Sequence, residues 1–510
     1  MNCRTVKVAQ FYGIDINEFA IKVLKICFLL AELQLSGEIL DISALDKNII
    51  TSNALRMDWN ELLPNKKCSY IISNPPFCGV KLMTNSQRLD RKIVFNSNKF
   101  KKLDYVSCWY KKSIDYMLNT KIKAALVSTS SIVQGEQVPL LWEPLFKKGV
   151  NINFAYQSFK WNSESSDMAN VFCVIVGFSY INCKEKIIYN FAGAKKKAKN
   201  INGYLLDAEN IFVKKRLYPL HNDNHMQKGS QLIDGGNFLF NKKRKNDFLK
   251  KYPKSEPYFY KYINAKTFLN GKEHLYCLCL KNCSQDLIAR CPGIRKIIEK
   301  VYSYRANSKA KSTNILKDRP SEFFITNIPK EKSLLFPIVS SCKRKYVPIS
   351  FMEEKGICTN AINYIENANI YQFGILTSSA HMNWMRAVCG RLGVGYRYSK
   401  DIVYNTFPWP NPTKMQKENI EKTAKMILEA RKLYPNCTLA QLYDPLTMPP
   451  ELRKAHKLND EAVFKAYGFS KNITEEECVA KLMEMYKKLV EKESLENQTK
   501  KESLQATLHF

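Results

Sequence analysis

The sequence predicts an α/β fold in which a partial doubly wound sheet is followed by a mixed α+β region and a helical region. Three observations carry this prediction. Strand-like and helix-like segments alternate over about the first 180 residues, which is typical of a sheet covered by helices. From about residue 200 the segments become mixed, aromatic and basic. Beyond a proline-rich break at residues 407–412, helical patterns follow.

The elements of the first region follow from hydrophobic periodicity and β-propensity. A short apolar run at residues 11–14 predicts a strand that leads to Asp15, and the helical spacing of apolar residues in 20–35 predicts a helix after it. Further strands are predicted at residues 53–57, 70–73, 123–127, 152–156 and 171–178, with a helix at residues 105–118. Polar groups follow several of these strands, where doubly wound folds bind their ligands.

The remaining chain divides at changes of composition. Helices are predicted at residues 414–433, 450–457, 460–467 and 475–492, and the polar residues after them are expected to be disordered. We therefore predict a first α/β domain at residues 1–195, a mixed domain at 196–412, a helical region at 413–495 and a disordered tail at 496–510.

The charge balance indicates a polyanionic partner. The chain has 510 residues, with 79 Lys and Arg against 47 Asp and Glu, which gives a net charge of +32. An excess of this size favours a nucleic acid, with an anionic membrane surface as the second alternative. Hydrophobic residues at 45% and charged residues at 25% are ordinary for a globular protein.

The sixteen cysteines lack the paired spacing of a metal site. The densest group, Cys277, Cys279 and Cys283, alternates within a strand-like run without a second half-site, so we expect reduced thiols and no metal. The apolar stretch at residues 21–35 is interrupted by charged side chains, and no secretory signal is visible. We therefore expect a cytoplasmic protein without a membrane span.

Asn74-Pro75-Pro76-Phe77 follows the strand predicted at residues 70–73. The two prolines fix φ and remove two backbone donors, so the loop is stiff and presents hydrogen-bond acceptors. The amide oxygen of Asn74 and a backbone carbonyl can accept hydrogen bonds from a planar amino group, and the Phe77 ring can stack on the heteroaromatic ring that bears it. Such an arrangement makes an exocyclic nitrogen nucleophilic towards a methyl donor. The alternative is a rigid turn at the end of a strand.

Two aspartates at predicted strand ends are candidate cofactor ligands. Asp15, which is followed by Ile16, could accept hydrogen bonds from both hydroxyls of a cofactor ribose, but an aspartate before a helix is also a common N-cap. Asp58 could accept a hydrogen bond from the adenine amine of an adenosyl cofactor, and its alternative is a solvated turn residue. The local residues leave both alternatives open.

Basic and aromatic residues are interleaved in the second region, a pattern that suits contacts with DNA phosphates and, for a few side chains, with base edges. The candidates are Lys343, Arg344, Lys345, Arg391 and Arg397. The alternative for each of them is a solvated surface charge. His381 lies in a helix-like segment without accompanying cysteines or histidines, so we expect it to be structural.

Together these segments resemble the MmeI-like family of type IIG restriction–modification proteins, which methylate adenine in DNA with S-adenosylmethionine. Residues 10–480 all look like this family. Beyond the proline loop, the similarity is carried by residues 127–137 (VSTSSIVQGEQ), 154–156 (FAY), 169–178 (ANVFCVIVGF), 386–392 (RAVCGRL), 398–405 (YSKDIVYN), 442–450 (LYDPLTMPP) and 454–456 (KAH). The resemblance implies a catalytic domain with a class I methyltransferase sheet, then a target-recognition domain and a C-terminal helical region.

The resemblance also implies roles for the candidate residues. Asn74 and the Pro75 carbonyl would hold the adenine amine, and Phe77 would stack on the base. Asp15 would bind the cofactor ribose, and Asp58 would bind its adenine. The target adenine would leave the duplex and take the methyl group by direct displacement, without a metal. Residues of about 200–410 would read the sequence of double-stranded DNA. Residues 340–348 are candidate DNA contacts, and we call them the candidate strip.

One departure from the family concerns the cofactor site. The family carries a glycine-rich motif on a central first strand, whereas no Gly-x-Gly occurs in the fourteen residues before Asp15. We therefore expect an N-terminally truncated sheet that lacks its central strand and leaves two strand edges without partners. An upstream-encoded chain could supply this strand or a nuclease.

Three functions stay open on the sequence. The first is a site-specific DNA adenine methyltransferase, the modification part of a restriction–modification system. The second is an inactive or split-enzyme DNA-recognition remnant. The third is an RNA or protein amino-methyltransferase, because such enzymes also use Asn-Pro-Pro-aromatic loops, but the long basic region argues against it.

Overall fold

The computed structural model of the protein describes residues 6–37, 43–161, 171–190, 193–221, 224–271, 275–353 and 355–507. Residues 169 and 170 of one family-like segment, and the last three residues of the predicted tail, lie outside the described residues. The chain forms two compact units, residues 1–212 and residues 213–510. Both units mix helices with strands, so the predicted α/β character is confirmed.

The first unit alternates strands and helices along the chain. Its described elements are β1 (Gly13–Asp15), α1 (Glu18–Ser36), α2 (Ser43–Asp46), β2 (Ile49–Thr51), α3 (Trp59–Leu62), β3 (Tyr70–Ser73), α4 (Asn85–Phe95), α5 (Ser107–Tyr116), β4 (Lys123–Thr129), α6 (Gln137–Lys147), β5 (Asn151–Lys160), β6 (Phe172–Ser179), β7 (Lys186–Tyr189) and β8 (Lys195–Ala198). The helices predicted at 20–35 and 105–118 are confirmed, with boundaries shifted by a few residues.

The strand predicted at residues 53–57 is wrong, because the strand at this place is β2 and residues 54–56 form a turn. The side-chain oxygen of Asn53 accepts a hydrogen bond from the backbone N of Leu55 at 3.0 Å, and the Asn53 carbonyl accepts one from Arg56 at 2.9 Å. Asparagine stabilises turns through such local bonds, whereas the β-branched residues of β2 suit a strand.

The first unit contains two separate sheets. The larger has the strand order β3–β4–β6–β5–β7–β8, with parallel pairs β3–β4 and β5–β7 and antiparallel pairs otherwise. The smaller consists of the parallel pair β1–β2. In the described part of the chain, β1 and β3 each keep one edge without a partner strand. Tyr70 and Ile72 of β3 are 67% and 82% exposed.

Aromatic side chains form the core between the larger sheet and its helices. Tyr110 of α5 contacts Trp142 of α6 and Phe178 of β6, with ring centroids 5.4 and 5.3 Å apart. All three side chains are almost completely buried. A Cβ at Gly177 would lie 2.0 Å from the Phe154 ring, so the approach of β5 to β6 requires glycine at this position. This packing fixes the strands from which the candidate loops emerge.

The second unit holds the remaining elements. They are β9 (Met226–Lys228), β10 (Leu239–Phe240), α7 (Lys242–Lys251), β11 (Phe259–Ile263), α8 (Ala265–Asn270), β12 (Leu275–Leu278), α9 (Gln285–Arg290), α10 (Pro292–Ala306), α11 (Lys311–Asn314), β13 (Ser333–Pro337), β14 (Val339–Ser340), β15 (Ser350–Met352), β16 (Gly356–Cys358), β17 (Ile362–Glu366), α12 (Ile370–Leu376), α13 (Ser379–Val388), β18 (Gly390–Leu392), β19 (Gly395–Arg397), α14 (Lys414–Lys432), α15 (Leu439–Leu442), α16 (Pro450–Tyr467) and α17 (Glu475–Thr507).

The strands of the second unit form three sheets, with the orders β10–β12–β11–β16, β15–β13–β17–β9 and β14–β19–β18. The central strand β13 is buried along its whole length, and Leu334, Leu335 and Phe336 are at most 1% exposed. In a strand with both faces covered, apolar residues follow one another without alternating with polar ones, as they do in β13.

Arg305 of α10 holds irregular segments of the second unit in place. Its side chain is 1% exposed, and burial lowers the pKa of the guanidinium. All three guanidinium nitrogens donate hydrogen bonds of 2.7–3.2 Å to backbone carbonyls, those of Leu232, Ile233, Leu316, Arg319 and Glu322. These bonds offset the loss of hydration that a buried cation suffers.

The helical region differs from the prediction in two places. Residues 450–467 form the single helix α16, not two helices. Asn459, at the predicted break, donates a hydrogen bond to the Gly374 carbonyl at 2.8 Å and accepts one from the Thr423 hydroxyl at 3.1 Å. Neighbouring helices thus satisfy this polar side chain. Helix α17 continues to Thr507, through most of the segment expected to be disordered, because its Glu, Lys and Gln residues favour helix.

Candidate active site and nucleic-acid interface

The Asn-Pro-Pro-Phe loop lies at the carboxyl end of β3. Asn74 and Pro76 are exposed, Pro75 is buried and Phe77 is half-buried. Trp161, which directly follows β5, lies edge-on to Phe77 with ring centroids 6.2 Å apart and an angle of 85° between the planes. The loop therefore combines an accessible amide with two aromatic rings. Sequence reasoning missed Trp161, because nothing in its local pattern places it beside a loop more than eighty residues earlier.

Asp104 holds the segment that follows this loop. Its Oδ1 accepts a hydrogen bond from the backbone N of Val80 at 3.0 Å, and its Oδ2 accepts one from the Ser131 hydroxyl at 2.6 Å, just after β4. The Cys78 carbonyl accepts a further bond from the backbone N of Tyr105 at 2.9 Å. One carboxylate thus connects the chain segments that follow β3 and β4. The sequence gives no signal for Asp104, which stands outside any motif.

Asp90 of α4 fixes the segment that leads to Asp58. The Asp90 carboxylate is 2.6 Å from Nε of Arg56 and accepts a hydrogen bond of 2.6 Å from the Tyr105 hydroxyl. Burial and this hydrogen bond raise the pKa of Tyr105, which therefore remains a donor. Asp90 itself is 2% exposed, so loss of a partner would leave a buried charge unpaired.

Asp58 is the N-cap of α3 and lines a cleft of about 300 Å³. Its Oδ1 accepts hydrogen bonds from the backbone N and the side-chain N of Asn60 at 3.0 and 3.1 Å, and these bonds lower the pKa of the carboxyl group. The cleft is also lined by Trp59, Ile93, Lys112 and Tyr116. A carboxylate beside aromatic and aliphatic side chains suits a planar ring with an amino group. The expectation that Asp58 ends a strand is wrong, since it follows a turn.

Asp15 is the exposed last residue of β1. The N-cap of α1 is not Asp15 but Asn17, whose side-chain oxygen accepts hydrogen bonds from the backbone N of Phe19 and of Ala20. Asp15 Oδ1 accepts a hydrogen bond from the Asn17 backbone at 2.7 Å, while Oδ2 has no protein partner among the described residues. The neighbouring Ile16 is 73% exposed. Both residues are accessible to a ligand.

The structure connects Asp15 and Asp58 only indirectly. The Asp15 carbonyl accepts a hydrogen bond from the backbone N of Ser52 at 2.8 Å, which places the end of β1 beside the segment leading to Asp58. No hydrogen bond or ring contact between described residues joins either aspartate to Asn74-Pro75-Pro76-Phe77.

Two of the basic candidates lie on the hairpin β18–β19. Arg391 pairs in register with Tyr396, and its guanidinium carbon is 4.6 Å from the centre of the Tyr396 ring. Arg397 is exposed and pairs in register with Val339 of β14. Gly393 in the turn has a φ of +57°, a left-handed conformation that glycine adopts without strain. The sheet thus joins the hairpin to the strand that leads into the candidate strip.

Lys343, Arg344 and Lys345 follow β14 in the same strip. The two lysines are exposed, whereas Arg344 is half-buried and burial lowers its pKa. The Lys345 carbonyl accepts a hydrogen bond from Arg386 at 3.2 Å, and Arg386 forms an ion pair of 2.7 Å with Glu475 of α17. The segment is therefore held through the Lys345 backbone, and the Lys345 ammonium also lies 5.2 Å from the centre of the Tyr346 ring.

His381 is structural, as the sequence predicts. Its Nε2 is 2.9 Å from the Tyr398 hydroxyl, and burial lowers its pKa to about 3, so the ring is neutral at pH 7. Across the described ranges, no three side chains of His, Cys, Asp or Glu are arranged to hold a metal ion. No helix within the described ranges has the length and apolarity needed to span a membrane.

Three family models match the chain in succession. The model of the MmeI DNA-methyltransferase domain matches residues 2–190, that of the MmeI target recognition domain matches residues 207–411, and that of the MmeI C-terminal domain matches residues 412–493.

Two known proteins are similar over nearly the whole chain. DNA methyltransferase A of Bacillus subtilis (strain 168) is 37% identical over 502 residues, which are 96% of this chain and 57% of that protein. A solved structure of the type IIL restriction-modification enzyme MmeI in complex with DNA is 40% identical, with a TM-score of 0.85, over 96% of this chain and 67% of that chain. The chain thus spans little more than half the length of the Bacillus relative. The resemblance seen in the sequence is confirmed, and the chain belongs to the MmeI family.

Proposed function

We propose that the chain is a site-specific DNA methyltransferase that moves a methyl group from S-adenosylmethionine to the N6 amine of adenine, as the modification part of a restriction–modification system. The observation that carries the proposal is Asn74-Pro75-Pro76-Phe77, a stiff loop at the end of β3 with an exposed amide beside an aromatic ring. The match to a DNA-methyltransferase domain model and the net charge of +32 support it.

The loop residues act on the adenine amine. Asn74 Oδ1 and the Pro75 carbonyl accept hydrogen bonds from its two hydrogens, which raises the electron density on the nitrogen. Phe77 stacks on the flipped base, and the perpendicular Trp161 ring bounds the same space. The loop orients the amine for in-line attack, and this alignment supplies much of the rate. The surplus proton leaves to water at the exposed end of the loop.

The described residues fit an adenosyl cofactor. The cleft of about 300 Å³ offers Trp59 and Tyr116 to a purine ring, and the lowered pKa keeps Asp58 ionised as an acceptor for its amine. Asp15 Oδ2 can accept hydrogen bonds from ribose hydroxyls, and the exposed Ile16 can cover the sugar. S-adenosylmethionine, when bound, supplies an electrophilic methyl group.

Double-stranded DNA is the proposed partner of the second unit. Arg397 on the hairpin, with Lys343 and Lys345 in the strip, presents a cation to phosphates or base edges, and the half-buried Arg344 and Arg391 contribute less. We assign catalysis to residues 1–195, recognition to 196–412 and a supporting helical region to 413–495. The ranges of the three family models support this division.

A second polypeptide that pairs with the open edges of β1 and β3 is part of the proposal. An added strand would satisfy the backbone groups of both edges and cover Tyr70 and Ile72. An accompanying helix would cover the exposed apolar stripe of α1, whose members are 42–74% exposed and recur every four and three residues: Phe19, Val23, Ile26, Leu30 and Leu33. Such a partner could also carry the nuclease.

The match of residues 207–411 to a target recognition domain model also fits a second candidate function, a DNA-recognition remnant that is inactive by itself. An RNA or protein amino-methyltransferase is the third candidate, and the match to a target recognition domain model weighs against it.

The decisive experiment is a methyl-transfer assay with labelled S-adenosylmethionine. Duplex DNA, RNA and protein are offered to the chain alone and to the chain co-expressed with the part of the Bacillus relative that this chain does not cover. We expect N6-methyladenine in duplex DNA in the presence of that fragment, detected by mass spectrometry. Duplex binding without methylation in either case would support the recognition remnant. Label in RNA or protein alone would support the third candidate.

A further inference from the structure

We propose that α7 and the first turns of α10 form a second DNA-binding surface, which holds the phosphate backbone of the duplex without reading its sequence. We call it the α7 patch, and it consists of Lys242, Lys243, Lys250, Lys251, Lys254 and Arg295. The inference rests on the proposed DNA function and adds an anchoring site outside the hairpin and the candidate strip.

Charge density is the first argument. The ten residues of α7 contain six basic side chains and one acidic side chain. Lys242, Lys243, Lys250 and Lys251 are exposed, and within the described ranges none of them has an ion-pair partner. Asp247 is the one acidic side chain of this helix, so a large excess of cations remains on it. This excess attracts a polyanion placed against the exposed face.

The way in which α7 is attached directs these lysines outward. The Arg244 guanidinium lies 4.2 Å from the centre of the Phe240 ring, and the Lys245 ammonium lies 4.2 Å from the centre of the Tyr276 ring. Arg244 also donates a hydrogen bond to the Leu239 carbonyl at 2.8 Å. Two basic residues therefore pack the helix on its sheet through cation–π contacts, and the others face solvent.

Helix α10 extends the patch. A Cβ at Gly293 would lie 2.4 Å from the Tyr252 ring and 2.8 Å from the Phe248 ring, so the first turn of α10 packs directly against the end of α7. Arg295, two residues further on, is exposed and is not ion-paired with any described residue. The packed helices are a rigid support for these cations. Binding therefore restricts fewer conformations, and its entropic cost is smaller.

The chemistry of the patch fits phosphates better than bases. Five of its six members are lysines, which act as point charges, whereas base edges are read mainly by the planar groups of Arg, Asn and Gln. A helix of ten residues is about 15 Å long, which matches the rise of about four base pairs along a duplex. The patch therefore suits several phosphates along one groove edge.

The test compares two variants that remove the same charge. In the patch variant, Lys242, Lys243, Lys250 and Lys251 are replaced by Gln. In the control variant, four exposed lysines of the C-terminal helices are replaced by Gln: Lys414, Lys422, Lys425 and Lys454. Fluorescence anisotropy with a random-sequence duplex gives the binding constant of each full chain as a function of salt concentration. Circular dichroism checks that both variants stay folded.

We expect the patch variant to bind at least about tenfold more weakly in low salt. The slope of log K against log salt concentration should become smaller in magnitude by about two to four, because each lost phosphate contact removes about 0.9 from it. The control variant should change the slope by less than about one. Equal losses in both variants, or no duplex binding by the unaltered chain, would overturn the proposal. Patch-dependent binding by a chain that transfers no methyl group would support the patch and overturn only the catalytic proposal.

Discussion

The strands β3 and β13 are both short and largely apolar, but their surroundings are opposite. β3 (YIIS) lies at the edge of its sheet, with Tyr70 67% and Ile72 82% exposed, whereas β13 (SLLFP) lies between β15 and β17 with all five residues buried. An edge strand of a soluble protein is usually short, charged or covered. β3 is short, but it has the apolar side chains of a central strand. This difference is the strongest structural support for a partner strand at β3.

The largest effect is expected from truncation in β13. Leu335→Ala should lower the free energy of unfolding by about 2–5 kcal/mol, because the lost side chain leaves a cavity in the buried cluster that it forms with Met352, Ile362 and Tyr364. The matched variant Ile72→Ala on β3 should change it by less than about 0.5 kcal/mol. Urea unfolding followed by circular dichroism measures both. A similar loss for the two variants would remove the contrast between the strands.

At the end of β3, Asn74→Ala should reduce methyl transfer by about 100-fold or more, because it removes one of the two acceptors for the amine. Stability should stay unchanged, since Asn74 is exposed. The assay uses the active form, with the partner fragment if this is required. Asn98→Ala, at another exposed asparagine of the same unit, is the control. Full activity of Asn74→Ala would contradict the catalytic assignment.

The stability of the second unit should fall in acid, because His381 is buried in it. Its pKa in the folded chain is about 3, below the value of about 6.5 expected after unfolding, so protonation favours the unfolded state. This contribution to stability is complete above pH 6.5 and is lost as the pH falls towards 3. At pH 4.5 the loss is on the order of a few kcal/mol. His381→Gln should therefore lose less stability between pH 7 and pH 4.5, measured by urea unfolding at both values. An unchanged pH dependence would contradict this.

The smallest of these effects concerns the attachment of the proline loop. Asp104→Ala removes the acceptor of the Val80 backbone N and of the Ser131 hydroxyl, and should lower the free energy of unfolding by about 1–3 kcal/mol. Hydrogen exchange of the Val80 amide should become faster. Asp104→Asn keeps one acceptor oxygen and should restore part of the protection. Unchanged exchange in Asp104→Ala would show that the loop is held by other contacts.

Local patterns were sufficient to predict the strongly periodic elements. The apolar spacing in α1 and α5 and the β-branched content of β3 and β4 placed these elements within a few residues of their bounds. The errors have physical causes. Asn53 forms a turn through its own side chain where a strand was expected, and Asn459 continues a helix because two neighbouring helices satisfy its amide.

The positions of the candidate residues at strand ends were predictable from local pattern, as for the proline loop after β3 and Asp15 at the end of β1. The candidate site was not predictable where contacts join distant segments. Asp104, Asp90 and Trp161 act on residues that lie 24, 34 and 84 positions away, and no motif surrounds them. The roles of the loop residues in catalysis stay predictions.

Arg305 has a consequence for how the second unit can vary in sequence. Its five hydrogen bonds end on main-chain carbonyls, so the side chains at positions such as 233, 316, 319 and 322 take no part in them. Substitutions at the exposed positions 319 and 322 leave the hydrogen bonds to the cation in place. A single arginine can thus preserve the course of irregular segments while the exposed side chains on them vary in sequence.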